Sequence, residues 1–243
     1  MAGVKKNKGF TLIELSIVIV IIGLIVAGVV GGQNLVRQAK LRAVVSDFNK
    51  YVVAINAFKL EYGHLPGDMP NASDYWGASD GDGDGMLGEN PTLEFEDLYS
   101  WNHLVLSEII PGNYTGTVIS GGVGYEEGIN APKASVTNSA FALAVSQVYT
   151  RNIANYLRLA SPSAPHGYNL YGASLTAPEA YNIEVKVDDG LADTGRYSTV
   201  RAPSLGSGCV QNAWNAATPG NWILSDSTTI ACTVYNWYGN KTF

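Results

Sequence analysis

Twenty-one consecutive residues, Phe10 to Val30, contain a single charge, the carboxylate of Glu14. As a helix rising about 1.5 Å per residue, the stretch is roughly 31 Å long, which matches the hydrocarbon core of a bilayer. Its many Ile and Val residues are modest helix formers in water. In lipid every backbone group has to bond within its own segment, and a helix does so locally. A carboxylate in hydrocarbon costs about 2.5–3.5 kcal/mol even on the lenient insertion scale. Glu14 therefore needs either a partner or a place near the interface to which it can snorkel. A secretory signal would share the basic stub Lys5-Lys6-Asn7-Lys8, but asks for a shorter apolar core followed by a small-residue cleavage site. Here the run is longer and passes directly into a helical pattern. A plain membrane anchor is the other competing reading.

The segment Gly9-Phe10-Thr11-Leu12-Ile13-Glu14, set between the basic stub and the apolar run, resembles the processing site of type IV pilins and type II secretion pseudopilins. The resemblance covers the N-terminal part of the chain only. It implies cleavage after Gly9 by a prepilin peptidase on the cytoplasmic face and N-methylation of the new amine on Phe10. It also implies that Glu14 of one subunit meets the Phe10 amine of its neighbour during assembly. A buried charge pair is tolerable with both partners present and strongly destabilising with one missing, so Glu14 would set the register between subunits.

The organisation expected from this resemblance is a basic leader at 1–9 that is removed, a transmembrane and filament-core helix at 10–32, an amphipathic helix at 33–62 and a globular pilin-like head at 63–243. The expected location is the inner membrane, single-pass, with the N-terminus cytoplasmic and the head periplasmic. Later it is a pilus or pseudopilus, on the cell surface or in the periplasm. The partners implied are further copies of the chain, joined helically through the N-terminal helix, along with minor pilins, the prepilin peptidase and the inner-membrane assembly platform.

Lys5, Lys6 and Lys8 precede the span while Arg37, Lys40 and Arg42 follow it, so the positive-inside rule alone is close to a tie. The processing motif and the cysteines break it towards an outside C-terminus. Losing the leader lysines takes the net charge from −6 to −9, which argues against a general or sequence-specific nucleic-acid binder. Cys209 and Cys232 are the two cysteines. In an outside-facing chain an even pair reads as one disulfide, with two buried free thiols as the alternative. The bond would be worth about 3 kcal/mol in the chain-entropy model. Type IV pilins resemble this arrangement in stapling their last segment to the sheet.

Beyond the span, Leu41, Val45, Phe48, Val52, Ile55 and Tyr62 recur at helical steps, with Asp47, Asn49, Lys50 and Glu61 mostly off that face. This stripe should pack on a sheet. Gly63 and Pro66 mark the helix end. Gly31-Gly32 stands where type IV pilins often carry a proline, which leaves helix continuity at the join open.

After a turn at Tyr62–Asp68 that resembles the one following the long helix of pilin-like proteins, the chain reads Ser79-Asp80-Gly81-Asp82-Gly83-Asp84-Gly85-Met86-Leu87-Gly88-Glu89. Alternate carboxylates with Gly at the sixth position look like the first half of an EF-hand loop. Hard oxygen ligands suit Ca²⁺, with Asp80, Asp82 and Asp84 as side-chain ligands, Met86 offering its carbonyl and Glu89 closing the shell. The twelfth position is Pro91 instead of Glu, which argues against an EF-hand with its second helix. A solvated Gly-Asp loop that needs no ion is the alternative.

Further on, a helix is expected within Thr92–Ile110, with Leu98, Trp101, Leu104 and Val105 facing inward, and another within Ala140–Leu159. Tyr181–Val187 alternates apolar and polar residues and then reaches Asp188-Asp189-Gly190, the pattern of a strand and turn. Thr229–Tyr238 is a final strand. Short strands between Gly and Pro favour an antiparallel sheet packed on the long helix: an α+β, pilin-like fold with a loop-rich head and a C-terminal disulfide loop.

Catalysis finds little footing. His64, His103 and His166 lack zinc-ligand spacing, there is no Gly-x-Ser-x-Gly elbow or phosphate loop, and Gly121, Gly122 and Gly124 read as turn glycines. His103 beside Trp101 reads as packing. Two function classes stay in play. One is a structural subunit of a type IV pilus or pseudopilus filament. The other is a membrane-anchored binding module, such as a minor pilin acting as an adhesin.

Overall fold

The computed structural model describes residues 10–88, 95–117, 125–146, 154–161, 172–192, 194–201, 209–211, 221–224 and 229–237. Of the residues singled out above, Lys5, Lys6, Lys8, Gly9, Glu89, Pro91, Gly121, Gly122, Gly124 and His166 lie outside these ranges. The chain divides into two compact units, Met1–Lys40 and Leu41–Phe243.

In the first unit the described residues are almost wholly the first part of helix α1, Leu12–Tyr62, in which Gly31 and Gly32 are helical. Among the described residues α1 is the one helix long and apolar enough to cross a membrane, and none of that apolar stretch is buried within the protein. Leu12, Ile13, Ile19, Leu24 and Ile25 are all exposed.

In the second unit α1 changes character. Leu41, Val44, Phe48, Tyr51, Val52, Ala54, Ile55 and Phe58 are buried, at the steps of three and four residues that a single helical face requires. Of the expected stripe, Val45 and Tyr62 are partly buried against the same core. Gly63 ends the helix at φ +79°, a left-handed conformation that a Cβ disfavours.

Helices α2 (Ala72–Trp76) and α3 (Glu96–Leu106) follow, the latter inside the expected 92–110 segment with Leu98, Trp101 and Leu104 buried. Strands β1 (Ala140–Ser146) and β2 (Ala154–Ala160) come next, then β3 (Leu175–Thr176), α4 (Ala177–Val187), β4 (Tyr197–Arg201), the small pair β5 (Val210–Gln211) and β6 (Asn221–Trp222), and β7 (Ile230–Trp237). All the pairings in the main sheet are antiparallel. β7 is central: β4 covers one edge from Cys232 to Asn236, while β2 and then β3 follow one another along the other, at Val234–Trp237 and Ile230–Cys232. Phe48 packs edge-on against Phe141 of β1 and Tyr197 of β4, with ring centroids 5.1 and 5.6 Å away, and Tyr51 lies between Trp101 and Phe141. The helix face therefore lies on the sheet, giving the α+β, pilin-like arrangement.

Two expected elements change type. The described residues of the segment 140–159 are strand, not helix: they supply β1 and most of β2. An Ala-rich apolar run reads as helix, but Ala140 to Ala144 are all buried, as in a strand covered on both faces. Tyr181–Val187 is helix, not strand. Its start is fixed upstream, where the Thr176 N–H donates to Glu179 Oε2 at 3.0 Å in a capping box with Pro178 in the first turn. Ala177, Ala180 and Glu184 then fall on one buried face.

Candidate functional sites

At the start of α1 the Thr11 hydroxyl and the Glu14 carboxylate form a second capping box. Glu14 Oε2 accepts from the Thr11 N–H at 2.8 Å and from its hydroxyl at 2.7 Å, while the Glu14 N–H donates to Thr11 Oγ1 at 3.3 Å. Thr-x-x-Glu is the sequence signature of this motif. Glu14 thus has a local role that the search for an intersubunit partner overlooked: it ties down two donors at the exposed helix end. Both bonds fall on one oxygen. Phe10 is exposed immediately before the box.

The second site is the acidic loop after α1. Its frame is built by α3 and β2. His103 is fully buried and bridges two loop segments: Nδ1 accepts from the Gly67 N–H at 3.0 Å, and Nε2 lies 2.9 Å from the Ser79 carbonyl. Only the neutral ring protonated on Nε2 satisfies both. Burial pushes its pKa down, against the hydrogen bond to Ser79 and the charge of Asp80. His103 is a structural clamp, as its position beside Trp101 suggested. The Glu96 carboxylate accepts from the Asp82 and Gly88 N–H groups, both at 2.9 Å. Asn155 on β2 pairs with the loop as a strand would, donating Nδ2 to the Gly85 carbonyl at 2.8 Å and accepting from the Leu87 N–H at 3.1 Å. Gly81 lies so close to Gly67 and Asp68 that a Cβ there would collide with their backbone.

Within this frame the predicted ligands separate. Asp80 turns away and holds α2: its two oxygens accept from the Ser73 N–H at 2.7 Å and the Ser73 hydroxyl at 2.8 Å, which pulls its pKa down. Asp82 and Asp84 stay together, each using Oδ1 for an Asx turn to the N–H two residues on, at 3.0 and 2.7 Å. The Met86 N–H is the donor in the second of these turns. The carboxylate that joins them is Asp68, from the turn after α1, which the sequence pattern did not select. One oxygen from each of Asp68, Asp82 and Asp84 lies within 4.8 Å of the others. Asp68 is buried at 1 % exposure; Oδ2 accepts from the Gly85 N–H at 3.2 Å, and Oδ1 has no hydrogen-bond partner. Burial pushes Asp68 up to about 6, and Asp84 and Asp82 add to the rise. Burial likewise takes Glu96 up to about 7, against the two N–H groups it accepts from.

At the far end of the chain Cys209 and Cys232 form a disulfide, both fully buried, with Cα atoms 5.2 Å apart. The bond ties the β5–β6 pair to the central strand β7.

No characterised protein and no solved structure matches the chain. Residues 4–30 match the family model described as the prokaryotic N-terminal methylation motif. That segment spans the basic stub, Gly9, Phe10, the Thr11–Glu14 box and the apolar run. The chain therefore carries the N-terminal signature of type IV pilins and pseudopilins, the mark of a prepilin peptidase substrate.

Proposed function

We propose that this chain is a structural subunit of a type IV pilus or a related pseudopilus filament, cut after Gly9, methylated on Phe10 and held in the inner membrane until assembly. The observation that carries the reading is the methylation motif joined to an apolar helix whose large side chains face outward. Such a surface needs a cover: lipid before assembly, and the same helices of neighbouring subunits afterwards. The disulfide supports a head in an oxidising compartment. A filament subunit needs no catalytic centre.

The capping box makes a sharp test possible. Glu14→Gln keeps the cap, because Gln serves in a capping box, but removes the charge that would meet a neighbour's amine. The variant should insert and be processed normally, with N-methylated Phe10 seen by mass spectrometry, yet enter sheared filaments at least tenfold less than wild type. Thr11→Ala, which weakens the cap and keeps the charge, should assemble nearly normally. Normal filament yield from Glu14→Gln would refute the register role. Immunogold labelling along the filament supports a main subunit, and labelling confined to its ends supports the tip-adhesin alternative.

A further inference from the structure

The Asp68 carboxylate presents an electrostatic problem that its own surroundings leave unsolved. It is almost wholly buried, its Oδ1 has no donor, and its other oxygen has one long hydrogen bond. Asp82 and Asp84 repel its charge, Glu96 and Asp68 repel one another, and His64 acts in the opposite direction. A buried polar oxygen without a partner is destabilising, and more so when it carries charge. The chain nevertheless brings Asp82 and Asp84 towards it by two Asx turns, and fixes that loop through Glu96 and Asn155. Oxygens that share one calcium ion at about 2.3–2.6 Å lie no more than about 5 Å apart, and the three carboxylates meet that limit.

We propose that Asp68, Asp82 and Asp84 bind one Ca²⁺ ion, which fastens the 80–88 loop to the turn after α1. The donors are all carboxylate oxygens, two of them on a glycine-rich loop, a hard and adaptable set that suits Ca²⁺ better than Zn²⁺, which prefers nitrogen and sulfur. Mg²⁺ demands a stricter octahedron and gives up its waters reluctantly. Asp80 is not a ligand, because both its oxygens hold Ser73. The inference is independent of the filament reading.

The test uses the full chain in detergent, stripped with EDTA and titrated with CaCl₂ or MgCl₂ near neutral pH. Binding is read by equilibrium dialysis and thermal melting. Ca²⁺ should bind one ion per chain with a Kd of about 0.1–1 mM, the range of extracellular modules, and raise Tm progressively with concentration. Mg²⁺ should do neither at the same concentrations. Asp84→Asn, at an exposed position that should not disturb folding, is expected to weaken Ca²⁺ binding at least tenfold. Asp68→Asn should do the same while melting higher than wild type in EDTA, since it removes the repulsion. Asp80→Asn should lower Tm with and without Ca²⁺ but leave Kd unchanged. The proposal is overturned if folded wild-type protein binds no Ca²⁺ at millimolar concentration, which would leave a proton shared among the carboxylates. It is equally overturned if Mg²⁺ matches Ca²⁺, or if Asp80→Asn abolishes binding while Asp84→Asn does not.

Discussion

Asp97, in the first turn of α3, sits in the core with almost no exposure. Burial takes its carboxyl up to about 7, although Tyr125 and the Leu98 N–H favour the charged form. Near neutral pH the side chain is therefore partly protonated. The Tyr125 hydroxyl is shared between the Asp97 carboxylate, whose charged form it favours, and the Leu143 carbonyl, 3.3 Å away, so it offsets the burial only in part. The folded state holds a proton that the unfolded chain releases near pH 4. The resulting stability is complete below about pH 4 and is lost as the pH rises towards 7. Asp97→Asn keeps the shape of the side chain and an acceptor oxygen without the ionisation. It should be more stable than wild type at pH 8 by about 2–4 kcal/mol, and the difference should vanish near pH 4. Denaturant melts across that range check it, and a constant difference at all pH values would refute the assignment.

At the scale of elements, the parts read correctly from sequence are those whose signals are local. α1 follows from the apolar run and the stripe from Leu41 to Tyr62, α3 from the spacing of Leu98, Trp101 and Leu104, and β7 from its apolar content beside Cys232. The errors have physical causes. Tyr181–Val187 alternates like a strand, yet Thr176-Ala177-Pro178-Glu179 just upstream starts a helix, and the start signal prevails over the alternation. In 140–144 burial on both faces erases the period that would have marked a strand. The acidic loop was half legible. Asp82 and Asp84 announce themselves by alternation with glycine, but the third carboxylate and the Asn155 clamp come from distant turns and strands that spacing cannot reveal. Because the cap starts α4, Thr176→Ala should lower stability by about 1 kcal/mol and Glu179→Ala by a similar amount. The double variant should lose less than the sum, since each side chain accepts from the other residue's backbone N–H and the two bonds hold the same turn. Strict additivity would show that they act separately.

At the scale of the whole molecule, the disulfide closes a loop across a sequence separation of 23 residues. The paired replacement Cys209→Ser with Cys232→Ser should lower the stability of the unit Leu41–Phe243 by about 3 kcal/mol, read by denaturant unfolding of the full chain. Both cysteines are fully buried, so reductant should act on the native protein only as fast as that region opens. Rapid reduction without loss of structure would contradict the sealed position of the bond.

The place of β7 in the sheet has a consequence for how the protein is made. The strand that joins β2 to β3 and β4 is the last to leave the ribosome among those described. Until residues 230–237 are in place, the chain has a β1–β2 ribbon and the short β3 bound for one edge, β4 bound for the other, and no shared partner between them. A chain stopped anywhere before Ile230 would therefore display open strand edges to every neighbour, the surface on which aggregation begins. Once that strand is in place both edges are closed and Cys232 stands beside Cys209, so the covalent lock is set by the same event that completes the sheet.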